Sequence, residues 1–394
     1  MYKQDYTKYL TKTKANKKNP WKVAFFWFKI VGFLFLIISM LWGCIQMYQP
    51  NFTVGQVTDM TGKSIFAPGV GFEIIIKSLG DVGSKNHFFV PTSEGLSEYG
   101  WNPVYSWGST FAVTKSPFYG FFVYPLAFIL VGFIKLFHGS LVDDGSSSFG
   151  ISVFFSILLT SLIIRGITLL FSWKAQKNQE KMQSMTSKQA EIQAKYKNST
   201  DRAAKQKQGM ELAALYKKEG ISPLGALAGS FITMPFLFAM FSIIKSTKIL
   251  KVASIGEISL IEQPFAQIQQ GNWVYVSIIL VYLPLQIVSM LLPTFLQIFK
   301  KNKGPITEQQ KKARKKQIIM QSVFVVVFFF IVATVASGVA IYWIFSSTFQ
   351  IMQTLGFHFA RENKNKNFKK KMARKKEKLE KKQAKIALKE KQQA

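Results

Sequence analysis

Five stretches of this chain, residues 30–48, 149–171, 223–244, 273–298 and 318–359, are apolar runs in which Arg165 is the only charged side chain. Each is long enough for a helix to cross the hydrocarbon core of a bilayer, about 30 Å or roughly 20 residues. The last run is about twice that length and reads as a helical hairpin turning near residues 335–338, where small residues cluster. Inside lipid every backbone polar group has to be bonded within the protein, so such runs fold as helices. The sequence therefore predicts an all-α polytopic membrane protein.

A further apolar run at 118–137 is ambiguous, and charge resolves it. Lys and Arg in short loops mark the cytoplasmic side of a membrane. Residues 1–22, 173–222, 300–317 and 361–394 together hold 41 basic and 11 acidic side chains, all but one unit of the net +31. These four segments belong on one face. If 118–137 crossed the bilayer, 173–222 would fall opposite the N-terminus. The run is therefore expected to lie flat on the outer surface, where Pro125, Lys135 and His138 are tolerable. The predicted topology has six spans with both termini in the cytoplasm.

A chain that is 48% hydrophobic and 15% aromatic at this charge is neither an ordinary soluble domain nor a disordered one. One cysteine excludes a disulfide framework, and three scattered histidines leave no metal-ligand set. No cofactor is expected.

The organisation that follows is a basic cytoplasmic N-terminus (1–22), an N-terminal transmembrane anchor (23–48), an extracytoplasmic cap region (49–117), a core (118–360) and a basic cytoplasmic tail (361–394). The core comprises an interfacial amphipathic helix (118–138), spans at 149–172, 223–246, 272–299, 318–334 and 338–359, and a cytoplasmic helical hairpin (173–222). Leu41-Trp42-Gly43-Cys44 loosely matches a lipoprotein cleavage box. A Trp before the small residue fits such a site poorly, so an uncleaved anchor is expected, with lipidation of Cys44 left open. The cap region, with its Gly, Pro and aromatic residues, reads as irregular or β-containing.

Within the hairpin a break is expected at Asn198-Ser199-Thr200, then a helix from Asp201 to Glu219 stopped by Gly220. Met182, Met185, Ile192 and Tyr196 give its first helix a weakly apolar side suited to a partner or to lipid headgroups. Ser222-Pro223 supplies an N-cap and a first-turn proline for the next span. The tail has 15 basic residues in 34 and is expected to be helical toward its end. Ribosomal RNA and anionic lipid are its competing acidic partners. No aromatic platform for base stacking is present, so any nucleic-acid contact runs through backbone charge, and DNA is not an expected partner.

Polar stripes cross the apolar runs. Ser161, Arg165, Thr168 and Ser172 recur at spacings of 4, 3 and 4 and share one helical face. Trp343, Ser346, Ser347, Gln350, Gln353 and Thr354 line one side of the last span, and Tyr282, Gln286 and Ser289 run down another. Interhelical hydrogen bonding accounts for the hydroxyls and amides, and snorkelling to the headgroups for an arginine near a span end. Yet no span contains an acid. An intramembrane arginine costs about 2.5–3.5 kcal/mol or more, and one without an acidic mate points to a water-filled recess that attracts negative charge.

Several motifs, in order, resemble the YidC/Oxa/Alb family of membrane protein insertases. Phe122-Val123-Tyr124-Pro125-Leu126 is similar to the family's outer amphipathic helix, and Ile163-Ile164-Arg165 to its first core span with the groove arginine. Ser222-Pro223-Leu224-Gly225 is similar to the Asn-Pro-x-x-Gly turn, and Met234-Pro235-Phe236 to the Gln-x-Pro element. Ser337-Gly338-Val339-Ala340-Ile341-Tyr342-Trp343 is similar to the signature of the last span. Ser222 replaces the Asn, Thr233 stands where Gln is usual, and no Pro follows Arg165. The resemblance covers roughly residues 118–359.

The resemblance implies a five-span insertase core behind the anchor span read from the apolar pattern, with a hydrophilic groove open to cytoplasm and lipid and closed outside; residues 1–117 are not matched by it, and their role stays open. Arg165, Gln286 and Trp343 are its implied polar lining and Tyr342 a substrate contact. Ser161, Thr168, Ser346, Ser347 and Gln350 extend the stripes that carry them. The implied function is insertion of nascent membrane proteins into the lipid bilayer in a bacterial cell membrane, alone or with a Sec-type translocon, with the tail as a ribosome contact and no enzymatic step. Competing readings are a small-solute transporter or channel, which should show internal repeats, and a membrane-tethered ribosome anchor. An intramembrane hydrolase is a further one, but Ser337 has no histidine placed near it.

Overall fold

The structure is a computed structural model that describes residues 20–47, 57–59, 64–65, 72–82, 88–92, 95–98, 102–196, 201–220, 223–298 and 308–393. The expectations for residues 1–19, Asn198-Ser199-Thr200 and Ser222, and for the side chains of Cys44, Ser172, Met182 and Thr233, lie outside what it describes. Apolar helices dominate. By length and composition Val23–Gly43, Tyr119–His138, Ser147–Leu170 and Trp273–Leu296 can each cross a membrane, and Met234–Ser246 and Ile318–Thr334 are apolar stretches within longer helices. The chain is an all-α polytopic membrane protein. Tyr119–His138, expected flat on the surface, is thus long enough to span, and its interfacial placement rests on charge rather than on length.

Helix α1 (Pro20–Met47) is followed by short strands, helix α2 (Trp107–Thr114), a π turn at Tyr119–Val123 and helix α3 (Tyr124–His138). Ser106 and Ser109 cap the start of α2 reciprocally, and Gly139, at φ 82, ends α3. Helix α4 (Ser147–Ser184) begins on a cap in which the Phe149 N–H donates to Ser146 Oγ at 3.2 Å. After α5 (Thr186–Lys195) and α6 (Arg202–Lys218) come α7 (Pro223–Ser246), α8 (Lys248–Val252), α9 (Pro264–Gln269), α10 (Val276–Ile298), α11 (Glu308–Thr334) and α12 (Ser337–Gln393). The turn expected in the long apolar run falls at Val335–Ala336.

The core forms where α4 lies along α7, with α3 against both and α12 against α4 and α10. Ile157 and Ile164 of α4, Ile243 of α7, Leu130 and Ile134 of α3 and Val339 of α12 are its buried members. α3 buries Tyr124, Ala127, Leu130, Val131 and Ile134 at helical spacing and leaves Phe128 and Leu136 exposed. The anchor α1 is tied near its C-terminal end, where Tyr119 OH donates to Gly43 O at 3.1 Å. A Cβ on Gly43 would sit 2.9 Å from the Phe118 ring, so only glycine permits this approach.

Strands β1 (Val57–Asp59), β2 (Ser64–Ile65), β3 (Phe72–Ile74), β4 (Phe88–Thr92), β5 (Gly95–Glu98) and β6 (Asn102–Val104) fall in the cap region. β1, β2, β4 and β5 form an antiparallel sheet in the order β2-β1-β4-β5. β3 and β6 pair in parallel, Ile74 opposite Val104, and Ile74 also bridges Thr247 beyond α7. Glu73, 3% exposed, accepts from Lys251 Nζ at 3.3 Å, with Lys248 Nζ 4.0 Å from its other oxygen. Burial pushes the Lys251 ammonium below the ordinary lysine value, and the Glu73 carboxylate opposes that shift. Part of the cap is thereby built into the core.

The helix of the 149–172 span continues unbroken into the hairpin, α4 running to Ser184. One expectation for the hairpin needs correction. Met185, Ile192 and Tyr196 do not form a free docking face. They pack with Leu212, Leu215 and Tyr216 into the hairpin's own small core. Lys195 Nζ meets Glu211 at 2.5 Å, Tyr196 OH donates to the same carboxylate at 2.8 Å, and Lys188 pairs with Glu219 at 2.9 Å. Glu211 holds the Lys195 ammonium above the ordinary lysine value. α5 also packs against α11. The tail is helical throughout its described length, since α12 runs without interruption to Gln393.

Candidate functional site

The three helices with polar stripes are joined through α12. Its neighbouring residues Ser346 and Ser347 are about 100° apart around the helix axis and so face different partners. Ser346 faces α4. There Arg165 donates through Nη1 to Gln350 Oε1 at 3.1 Å and through Nη2 to Ser346 O at 3.1 Å, and it also bonds Ser346 Oγ. The guanidinium is half-buried and turned onto α12. Its acceptors among the described residues are neutral, so its charge is hydrogen-bonded but not cancelled.

Ser347 faces α10, donating through Oγ to Gln286 Oε1 at 2.8 Å. One turn along, Ser289 Oγ donates to Gln286 O at 2.9 Å. Trp343 lies on the same side, half-buried, its ring 6.1 Å from Tyr282 and 6.0 Å from Phe328. Its Nε1–H is buried and has no hydrogen-bond partner among the described residues. Gln286 and Gln350 are also half-buried, so each keeps accessible surface.

The remaining expected residues sit differently. Tyr342, the implied substrate contact, is 3% exposed and lies beside Arg165 and Ser346. Ser161 and Thr168 are buried, and their hydroxyls bond their own helix, Ser161 Oγ to Ile157 O at 2.6 Å and Thr168 Oγ1 to Arg165 O at 3.1 Å. Such back-bonding satisfies a hydroxyl in apolar surroundings. One polar link escaped the sequence reading: Gln321 of α11 donates to Met290 O at 3.3 Å and accepts from Thr294 at 3.4 Å. A lone amide at the edge of an apolar run was its only signal.

No group of three or more His, Cys, Asp or Glu side chains among the described residues is placed to hold a metal. A cavity of about 320 Å³, lined by Glu257, Glu262, Gln267, Asn272, Val274 and Tyr275, opens at the N-terminal end of α10. The seam from Arg165 through Ser346 and Ser347 to Gln286 is therefore a hydrogen-bonded, cationic feature inside a helical membrane bundle.

Fold and seam together define a polytopic membrane protein with an arginine held between two of its helices. A model of the family described as "60Kd inner membrane protein" matches residues 145–366, more than half of the chain. The "Membrane protein insertase YidC" of Mycoplasma capricolum is 57% identical over 359 residues, covering 90% of this chain and 92% of the relative. The protein of that name from Ureaplasma parvum is 28% identical over 352 residues, 88% and 86% of the two chains. "Membrane protein insertase YidC 2" of Bacillus anthracis is 34% identical over 127 residues, 32% of this chain and 45% of the relative. The chain belongs to the 60Kd inner membrane protein family, the YidC/Oxa/Alb family of the motif resemblance.

Proposed function

We propose that the Arg165 seam of this membrane protein insertase receives the polar end of a nascent membrane protein. The observation that carries the reading is the inward, half-buried Arg165, bonded among the described residues to neutral acceptors on α12. A cation in that setting attracts negative charge more strongly than one in water, because the surrounding dielectric is low. The short, polar, often acidic N-terminal tail of a substrate is drawn to it. The accessible amides of Gln286 and Gln350 offer further hydrogen bonds to polar backbone on its way across.

No covalent step or nucleotide enters this reading. Burial of roughly 20 apolar substrate residues in lipid supplies the driving force, and the seam lowers the barrier for the polar residues that precede them. The α4–α7 hairpin end lies in the cytoplasm and meets the incoming chain. The basic extension of α12, from Arg361 to Gln393, reaches roughly 50 Å as a helix at 1.5 Å per residue and suits a ribosomal or anionic-lipid surface. A Sec-type translocon is a compatible partner. The relatives' shared description as insertases favours this reading over a transporter, a channel or a bare ribosome anchor.

The test uses purified protein in liposomes and a single-span substrate with an acidic N-terminal tail. Arg165→Ala is expected to reduce insertion strongly, and Arg165→Lys to retain part of it because the charge remains. If both folded variants insert the substrate as the parent does, the reading fails.

A further inference from the structure

The three helices that carry the seam meet one short segment at the end of the bundle farthest from the hairpin. It is the turn after α8, built on strands β7 (Ser254–Ile255) and β8 (Ile258–Ser259). Gly256 has φ +60 at the first central position of the two-residue loop, as a type II′ hairpin requires. The Leu260 N–H donates to Ala253 O at 3.0 Å and closes the base.

Each helix is held by a different device. For α12, the Ser337 N–H donates to Glu262 O at 2.8 Å, Ser337 Oγ to the same oxygen at 2.7 Å, and the Gly338 N–H to Leu260 O at 2.8 Å. The first N–H groups of a helix have no partner within it, so the turn supplies what α12 lacks. A Cβ on Gly338 would lie 3.0 Å from the Ile244 side chain and 3.2 Å from Leu260 O. For α4, a Cβ on Gly150 would lie 2.7 Å from Ser254 O and 3.3 Å from Ile255 Cα, which no side chain tolerates without displacement. For α10, the Ser259 N–H donates to Tyr275 OH at 2.9 Å, just before the helix begins.

We infer that residues 254–262 form a register clamp for α4, α10 and α12, with Gly150, Ser337 and Gly338 as positioning residues for the seam. Gly338 precedes Ser346 by about 12 Å of helix and Gln350 by about 18 Å, while Gly150 precedes Arg165 by about 22 Å, at 1.5 Å per residue. Both measures start from the same turn. A slip of one residue in α12 rotates its face by about 100° and carries Ser346 off Arg165. The function of the seam rests on the proposal above; the clamp itself rests on these contacts.

Phe154 of α4 and Phe345 of α12 report the register, since their ring centroids are 5.0 Å apart. In full-length protein carrying Cys44→Ser, the pair Phe154→Cys and Phe345→Cys is joined in liposomes by a short bis-thiol crosslinker and crosslinking yield is measured beside insertion. Gly150→Ala and Gly338→Ala are expected to cut the yield several-fold in protein that remains monodisperse, and Ser337→Ala to cut it less. Leu215→Ala in the hairpin, a destabilising change remote from the turn, is expected to leave it unchanged. Unchanged yield in both folded glycine variants overturns the clamp, as does an equal loss in Leu215→Ala. Lost yield with undiminished insertion upholds the clamp and removes the seam from the insertion reading.

Discussion

Arg165 and Gln350, 185 residues apart in the chain, meet at 3.1 Å through Nη1 and Oε1. The contact explains how a chain keeps an arginine in an apolar run without any acid in the spans. A hydrogen bond to a charged group contributes about 1.5–3 kcal/mol, comparable with the roughly 2.5–3.5 kcal/mol that insertion scales assign to the arginine. Gln350→Leu is therefore expected to lower the stability of the folded protein by about 1.5–3 kcal/mol. Denaturation in mixed micelles checks it, and an unchanged midpoint would show that the bond contributes nothing.

The second joint of the seam is weaker. Ser347 and Gln286 make one neutral hydrogen bond at 2.8 Å, and such bonds between membrane helices average about 0.6 kcal/mol with a maximum near 1.7. A double-mutant cycle with Ser347→Ala and Gln286→Leu is expected to return a coupling in that range. Strict additivity would mean that α10 and α12 are held by packing alone.

Glu73 ties the cap to the core by charge, alongside the apolar contacts of Phe72, Ile74 and Val104. Glu73→Gln takes a carboxylate away from Lys251, buried at 1% exposure, and breaking a buried pair costs up to about 3–5 kcal/mol. A thermal midpoint well below that of the parent is expected, with partial recovery when Lys251→Met is added. If Glu73→Gln melts with the parent, the cap is not integrated as the contacts imply.

The hairpin should respond locally. Leu215 is fully buried in a cluster of only a few side chains, so Leu215→Ala is expected to cost about 2–3 kcal/mol of hairpin stability, the low end for such truncations. Hydrogen exchange should quicken across α5 and α6 and stay constant in α4 and α7. The Lys195 contribution has a defined pH sense. Its ammonium is stabilised in the folded hairpin, so the benefit is complete below the ordinary value of 10.5 and is lost as pH rises through the higher folded value. Protection that already falls on titration through neutral pH would contradict this.

What was legible in the sequence divides along physical lines. The Arg165 and Gln350 stripes could be read because helical periodicity is local, and a polar residue in an apolar run is conspicuous. Their pairing was not legible, since nothing in a stripe says which other helix it meets. Met185, Ile192 and Tyr196 were seen as an apolar side, but a single helix cannot reveal that its cover is the next helix of the same hairpin. Glu73 was invisible because an acid in an irregular segment looks like any surface residue until Lys251 is found against it. Ser337-Gly338 stood out as a motif, and only the carbonyls of Leu260 and Glu262 give it a physical reason.

The central claim is that an uncancelled positive charge in the seam draws in the substrate's polar tail, and Gln350→Glu tests it most directly. That change sets a carboxylate where an amide now stands 3.1 Å from Arg165, which preserves the contact while neutralising the charge. With insertion into liposomes measured for paired substrates differing only in tail charge, the variant should stay folded, lose insertion several-fold, and lose more for the acidic tail than for the neutral one. Undiminished insertion of the acidic-tailed substrate by the folded variant would contradict the account.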